Sequence, residues 1–186
     1  GILYGWAMAD GSHTEPASYE RIINMGSGSF VVQKNLLYGL VSVQGEVLVP
    51  IEYTDQKTKQ WGVNSIFFLK KDTSWYLFDA KTGKQLTSEK LLGGTFDCST
   101  GLSWGLTATG WQVFHSTTGK PILPTPVPEV IQGCYRGYVY KKNEKYGVIG
   151  LDGKVLVPFE WDTIVNCKNP PWGYKSGKIS VWSGEF

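Results

Sequence analysis

Apolar and polar residues along this chain fall into short runs of strand length, and no window repeats apolar residues at the three-and-four spacing of a helix. The pattern predicts an all-β protein with almost no helix. Tyr38 to Val43 and Tyr138 to Lys141 are rich in β-branched and aromatic residues, the types that suit a pleated surface. Between the runs stand turn signals. Asp152-Gly153, Thr82-Gly83 and Thr118-Gly119 offer the positive φ that a tight hairpin requires.

The runs repeat. Tyr146-Gly-Val-Ile-Gly-Leu-Asp-Gly153-Lys-Val-Leu-Val-Pro158-Phe-Glu-Trp161 matches Tyr38-Gly-Leu-Val-Ser-Val-Gln-Gly45-Glu-Val-Leu-Val-Pro50-Ile-Glu-Tyr53 in type at nearly every position. A weaker copy opens at Tyr4, with its turn at Gly11 and its proline at Pro16. Two further copies open at Trp75 and Trp111 with one extra residue before Gly83 and Gly119, and a sixth begins at Ile179. The opening positions 4, 38, 75, 111, 146 and 179 lie 33 to 37 residues apart, the signature of a repeat architecture. Each copy reads as four strands. The first two form a hairpin around the turn glycine, and the proline five residues beyond it ends the second strand or places it at a sheet edge, because proline has no N–H for a ladder. A third run follows (Tyr19 to Ile23, Val130 to Gln132, Trp161 to Val165). The fourth opens beside a glycine, as in Trp61-Gly62, Trp104-Gly105, Tyr135-Arg-Gly137 and Trp172-Gly173.

An aromatic-Gly opening (Tyr38-Gly39, Tyr146-Gly147), a glycine turn, a Val-Leu-Val-Pro strand and a following Tyr or Trp resemble the WG-containing repeat, also called KWG, found mainly in bacterial proteins. The likeness runs over essentially the whole chain. It is strong in the second and fifth copies and degenerate in the third and fourth, where Trp75-Tyr76 and Trp111-Gln112 replace the aromatic-Gly pair. The resemblance implies tandem β repeats and no reaction, and it brings no catalytic residues.

Composition narrows the function classes. With 18 basic and 16 acidic side chains in 186 residues the net charge is +2, and the lysines and arginines are scattered, so nucleic acid is not an expected partner. Apolar runs stop at four or five residues, far short of the ~20 of a membrane-spanning helix, so membrane insertion is not expected either. Glycine at 23 and proline at 9 fit a turn-rich β fold.

The candidate chemistry is thin. His13 and His115 stand at unmatched offsets in different copies, and nothing marks either as a base or metal ligand. Cys98, Cys134 and Cys167 follow their turn glycines by 15, 15 and 14 residues, one equivalent site that Met25 fills in the first copy, which reads as a core position. Glu52 and Glu160, two residues after their prolines, are the pair a glycosidase would need face to face; other copies place Ser18, Lys90 and Pro126 there, and the glutamates read as solvated or loop-bonding. Gly26-Ser-Gly-Ser-Phe30 lacks the Gly-Lys-Ser/Thr and helix of a phosphate loop. No metal site and no cofactor are expected.

The expected architecture is thus a single domain over residues 1–186, built of tandem four-stranded repeats in a propeller-like array of about five blades, with an open hairpin solenoid as the alternative. The expected function is a noncatalytic module that binds a protein or glycan. A polysaccharide or ester hydrolase with carboxylates from separate repeats is the second reading, and a structural spacer the third. Trp61, Trp104, Tyr135 and Trp172, each at the start of a fourth strand, are the expected binding surface if their rings are exposed along one end. Core packing would produce the same aromatic-glycine pattern, and exposure separates the two.

Overall fold

A computed structural model describes residues 1–58, 66–96, 103–115, 118–123, 125–127, 129–133, 137–150, 152–166 and 171–183. Among these there is no helix, and nineteen short strands form six small antiparallel sheets in chain order. The first sheet pairs β1 (Tyr4–Ala7) with β2 (Thr14–Tyr19). The second runs β3 (Arg21–Asn24), β4 (Ser29–Lys34), β5 (Leu37–Ser42), β6 (Val47–Tyr53). The third holds β7 (Asp55–Lys57), β8 (Ile66–Lys71) and β9 (Ser74–Asp79), and the fourth β10 (Gly93–Phe96), β11 (Ser103–Thr107) and β12 (Gly110–Phe114). The fifth is again four-stranded, β13 (Glu129–Gly133), β14 (Gly137–Lys142), β15 (Lys145–Gly150), β16 (Val155–Trp161), and the sixth contains β17 (Thr163–Asn166), β18 (Trp172–Lys175) and β19 (Lys178–Val181).

A sheet therefore straddles two sequence copies: the last two strands of one copy pair with the first two of the next. The step between sheets takes a single residue. The backbone N–H of Glu20, Thr54 and Asp162 donates to the carbonyl of Gln33, Lys70 and Tyr174, at 2.9, 2.8 and 2.8 Å, which ties each new sheet to the outer strand just left. All five hairpin glycines, at 11, 45, 83, 119 and 153, have φ between +63° and +84°, as the turn chemistry predicts.

The proline-containing strands do not end at proline. Pro50 and Pro158 lie inside β6 and β16, which occupy sheet edges. Leu40 pairs with Val49 and Tyr38 with Tyr53, so Pro50, Ile51 and Glu52 arch across a stretch where β5 has only Gly39. Pro158, Phe159 and Glu160 arch over Gly147 in the same way, and Pro16, Ala17 and Ser18 over Gly5. A bulge of this kind needs no N–H at the proline. It also explains the glycine of the aromatic-Gly pair: a Cβ on Gly39 would stand 2.7 Å from the Val49 carbonyl oxygen, and one on Gly147 2.8 Å from that of Val157. In the third and fourth sheets Tyr76 and Gln112 replace this glycine, and no outer strand forms among the described residues. Only isolated bridges remain, Trp75 with Leu91, Phe78 with Gln85, Trp111 with Val127 and Phe114 with Pro121. Gln112 stands in for the missing peptide unit: its Oε1 accepts the Val113 N–H at 2.9 Å and its Nε2 donates to the Leu123 carbonyl at 3.1 Å.

Five apolar clusters lie between consecutive sheets. Val31, Leu40 and Val49 of the second sheet meet Phe67, Leu69 and Phe78 of the third, and Trp104 and Val113 of the fourth meet Tyr138, Tyr140 and Ile149 of the fifth. The other three clusters join first to second, third to fourth and fifth to sixth. None of the five joins the sixth sheet to the first. Turn glycines seal the same contacts from one end. A Cβ on Gly83 would fall 2.5 Å from the Leu48 carbonyl oxygen, on Gly119 2.5 Å from the Leu86 side chain, and on Gly153 2.5 Å from the Ile122 carbonyl oxygen, each on the outer segment of the preceding sheet.

At the opposite end, the turn between β4 and β5 carries Asn35 and Leu36 at φ +52° and +64°, with both N–H groups donated to the Glu20 carboxylate at 2.9 and 3.0 Å. Leu36 is 76 % exposed, so its side chain contributes little packing to offset the left-handed backbone. Leu36→Gly is expected to stabilise the protein by about 1 kcal/mol, read as a higher midpoint in urea.

Candidate functional site

The four aromatic residues expected to share one surface do not share one position. Trp104 lies opposite Val113 and Trp172 opposite Val181; the matching pairs elsewhere are Val31/Leu40, Phe68/Leu77 and Val139/Val148. The pairs of the second, third, fourth and fifth sheets face the following sheet. Trp104 is accordingly 5 % exposed, with its ring edge-on to Tyr138 at 4.2 Å, and it belongs to the core rather than to a binding surface. Trp172 occupies the same position in the last sheet and is half-buried. Trp61 and Tyr135 lie outside the described residues, and in sequence they precede Phe68 and Val139 by seven and four residues, so neither is the counterpart of Trp104.

The glycines after these tryptophans serve packing too. A Cβ on Gly105 would meet Phe114 at 2.7 Å and Leu91 at 2.9 Å, and one on Gly173 would strike the Thr163 carbonyl. No space is held open there for a partner.

Cys98, Cys134 and Cys167 lie outside the described residues. Their counterpart Met25 is fully buried in the cluster between the second and third sheets. Each candidate carboxylate is engaged by a lysine of the next sheet, Glu52 with Lys71 at 2.9 Å and Glu160 with Lys175 at 2.5 Å. The Glu two residues after Pro50 and after Pro158 thus clamps adjacent sheets, and the two glutamates are held in separate ion pairs. His13 Nε2 lies 3.6 Å from Glu15, whose other oxygen accepts the Tyr19 hydroxyl at 3.3 Å; burial, and then the Glu15 charge, push the Tyr19 pKa up. Among the described residues no cluster of His, Cys, Asp and Glu could hold a metal ion.

Asp162, at the last single-residue step, accepts from Lys145 and from the Gly177 N–H at 2.8 Å, which hold its carboxyl below the usual range. A depressed folded-state pKa means that this stabilisation is present above the ordinary carboxylate value and disappears as pH falls through the folded one. Asp162→Asn should therefore lower the melting temperature at neutral pH, with the deficit closing below about pH 4.

Two features escape the sequence pattern. The first is a cavity of about 320 Å³ between the outer segments of the third and fourth sheets, the two that lack a regular outer strand. Leu86, Phe114, Leu123 and Pro126 give it apolar walls, and Thr87 and Glu89 are polar groups in its lining. The signal for it was the loss of the aromatic-Gly glycine at Tyr76 and Gln112. The second is the outer side of the sixth sheet, where Tyr174, Ile179 and Val181 are exposed beside Trp172. Tyr174 stands where Gln33, Lys70, Leu106 and Lys141 stand in the other sheets, a correspondence legible in the sequence once the register is known.

No protein-family model matches the chain, and no curated protein matches it in sequence.

Proposed function

We propose that this chain is a noncatalytic binding module of the WG-repeat type, an open row of face-packed sheets that holds a short protein segment in the cavity between its third and fourth sheets. One observation carries the reading. The repeat departs from its pattern in two adjacent copies, and the space left by their outer strands becomes a cavity of about 320 Å³. Rigid repeats with one irregular place suit recognition, because the frame holds the irregular segments in position. A protein segment is favoured over a glycan by the lining: aliphatic and proline side chains with hydroxyl and carboxylate groups, and only Phe114 as an aromatic, itself buried. The glutamates bound in separate ion pairs favour binding over hydrolysis.

Ser88 lines the cavity and is exposed, so Ser88→Trp would fill it without touching the core. Selection of a random peptide library on the intact chain is expected to enrich binders that Ser88→Trp no longer retains, at an unchanged melting temperature. Binders that Ser88→Trp retains equally, or a glycan array that yields ligands where the library yields none, would overturn the proposal.

A further inference from the structure

The outer segments of the first to fifth sheets share one length, so their four middle residues can be set side by side. They read Glu15-Pro-Ala-Ser18, Val49-Pro-Ile-Glu52, Thr87-Ser-Glu-Lys90, Leu123-Pro-Thr-Pro126 and Val157-Pro-Phe-Glu160. Structure fixes the register at both ends. The next residue in each, Tyr19, Tyr53, Leu91, Val127 or Trp161, pairs with the opening residue of its copy, while Leu48, Leu86 and Ile122 each receive the turn glycine of the following sheet.

In the two regular sheets the third and fourth of these residues reach opposite neighbours. Ile51 and Phe159 pack back into the clusters shared with the preceding sheet, whereas Glu52 and Glu160 reach forward to Lys71 and Lys175 of the next. The fourth sheet has neither group. An exposed Thr125 stands in the place of Ile51 and Phe159, and Pro126 stands in the place of the glutamate. The cavity of about 320 Å³ lies on the side that Phe159 fills in the fifth sheet. Its lining includes Phe114, which packs against the third sheet, and Gln112, the counterpart of the Gly147 on which the Phe159 ring rests.

On the other side of the fourth sheet a lysine has lost its partner. Lys142 ends β14 as Lys71 ends β8 and Lys175 ends β18, yet the residue that should face it is Pro126. Lys142 is exposed, and among the described residues no carboxylate pairs with it. The charge around the cavity has the same sign. Exposed Lys90 and Lys120 adjoin the lining residues Glu89 and Gly119, and neither is in an ion pair among the described residues. Three lysines thus surround a lining that carries the single carboxylate of Glu89 among the described residues.

We propose that the protein segment held in this cavity is acidic: a large aliphatic or aromatic side chain enters as Phe159 does in the fifth sheet, and a carboxylate one or two residues along pairs with Lys142. The inference rests on the cavity as the binding site and adds the chemistry of its ligand. The segment crosses the outer edge of the fourth sheet, so that its two side chains reach the two faces that Phe159 and Glu160 reach from within the chain. Lysines on both sides of that edge attract negative charge and turn basic segments away.

A random peptide library selected on the intact chain and then sequenced tests this. Binders are expected to carry Phe, Leu or Ile with Asp or Glu one or two positions away. For one selected peptide, fluorescence anisotropy at low salt should show affinity about fivefold weaker in Lys142→Glu, and recovery when the peptide's own acidic residue is replaced by Lys. Lys34→Glu makes the same change of charge at an exposed lysine of the second sheet and should alter affinity less than about twofold. Binders that Ser88→Trp loses but Lys142→Glu retains in full, or binders rich in Lys and Arg, would overturn the acidic ligand and leave the cavity as the binding site. Binders that Ser88→Trp retains would overturn the cavity itself, and this inference with it.

Discussion

Gly39→Ala is expected to cost about 3 kcal/mol, a fall in melting temperature of roughly 6–12 °C for a chain of this size. Its added Cβ would lie 2.7 Å from the Val49 carbonyl oxygen and 2.8 Å from the Ile51 Cα, both backbone atoms of the arch, so no side chain can rotate to make room. Relief requires β6 to lift, which loosens Tyr53 from Tyr38 and draws Glu52 from Lys71 of the next sheet. Gly147→Ala should behave alike, because Val157 and Phe159 press on it in the same way. A change in stability below about 1 kcal/mol at both positions would mean that the arch is adaptable and that this glycine has some other purpose.

The second large effect separates two reasons for one residue. Gly11 and Gly83 are both hairpin glycines, at φ +72° and +69°, yet nothing lies within 4 Å of a Cβ on Gly11, while one on Gly83 would fall 2.5 Å from the Leu48 carbonyl oxygen. Gly11→Ala should cost only the left-handed backbone penalty, about 1 kcal/mol. Gly83→Ala adds a clash with the preceding sheet and should cost about three times as much by denaturant titration. Equal costs would show that the turn does not seal the contact between sheets.

Much of this was legible in the sequence because it is local chemistry. Asp152-Gly153 and Thr82-Gly83 announce their turns through the positive φ they require, and Pro50 and Pro158 announce an edge by lacking an N–H. What the linear pattern conceals is register. Trp104 and Trp61 look alike as Trp-Gly pairs, but only pairing with β12 reveals that Trp104 faces the fifth sheet. The offset between sequence copy and sheet is hidden for a similar reason: the step at Glu20, Thr54 or Asp162 is one residue long and leaves no break in apolar content. The loss of the outer strands in the third and fourth sheets was written at Tyr76 and Gln112, although its meaning depends on knowing that glycine lies under an arch. The exposure of Tyr174 and Ile179 is likewise a matter of register, since both lie on the face of the sixth sheet that carries Trp172 and Val181.

The proposed open row is tested most directly by the distance between its two ends. Leu3, immediately before β1, and Lys178, at the start of β19, are exposed and occupy equivalent places in the first and sixth sheets. With spin labels at both, measured at low micromolar concentration, the row predicts a separation of several sheet spacings, beyond roughly 25 Å. A separation near one spacing, about 10 Å, would place the sixth sheet against the first and contradict the account in favour of a closed ring.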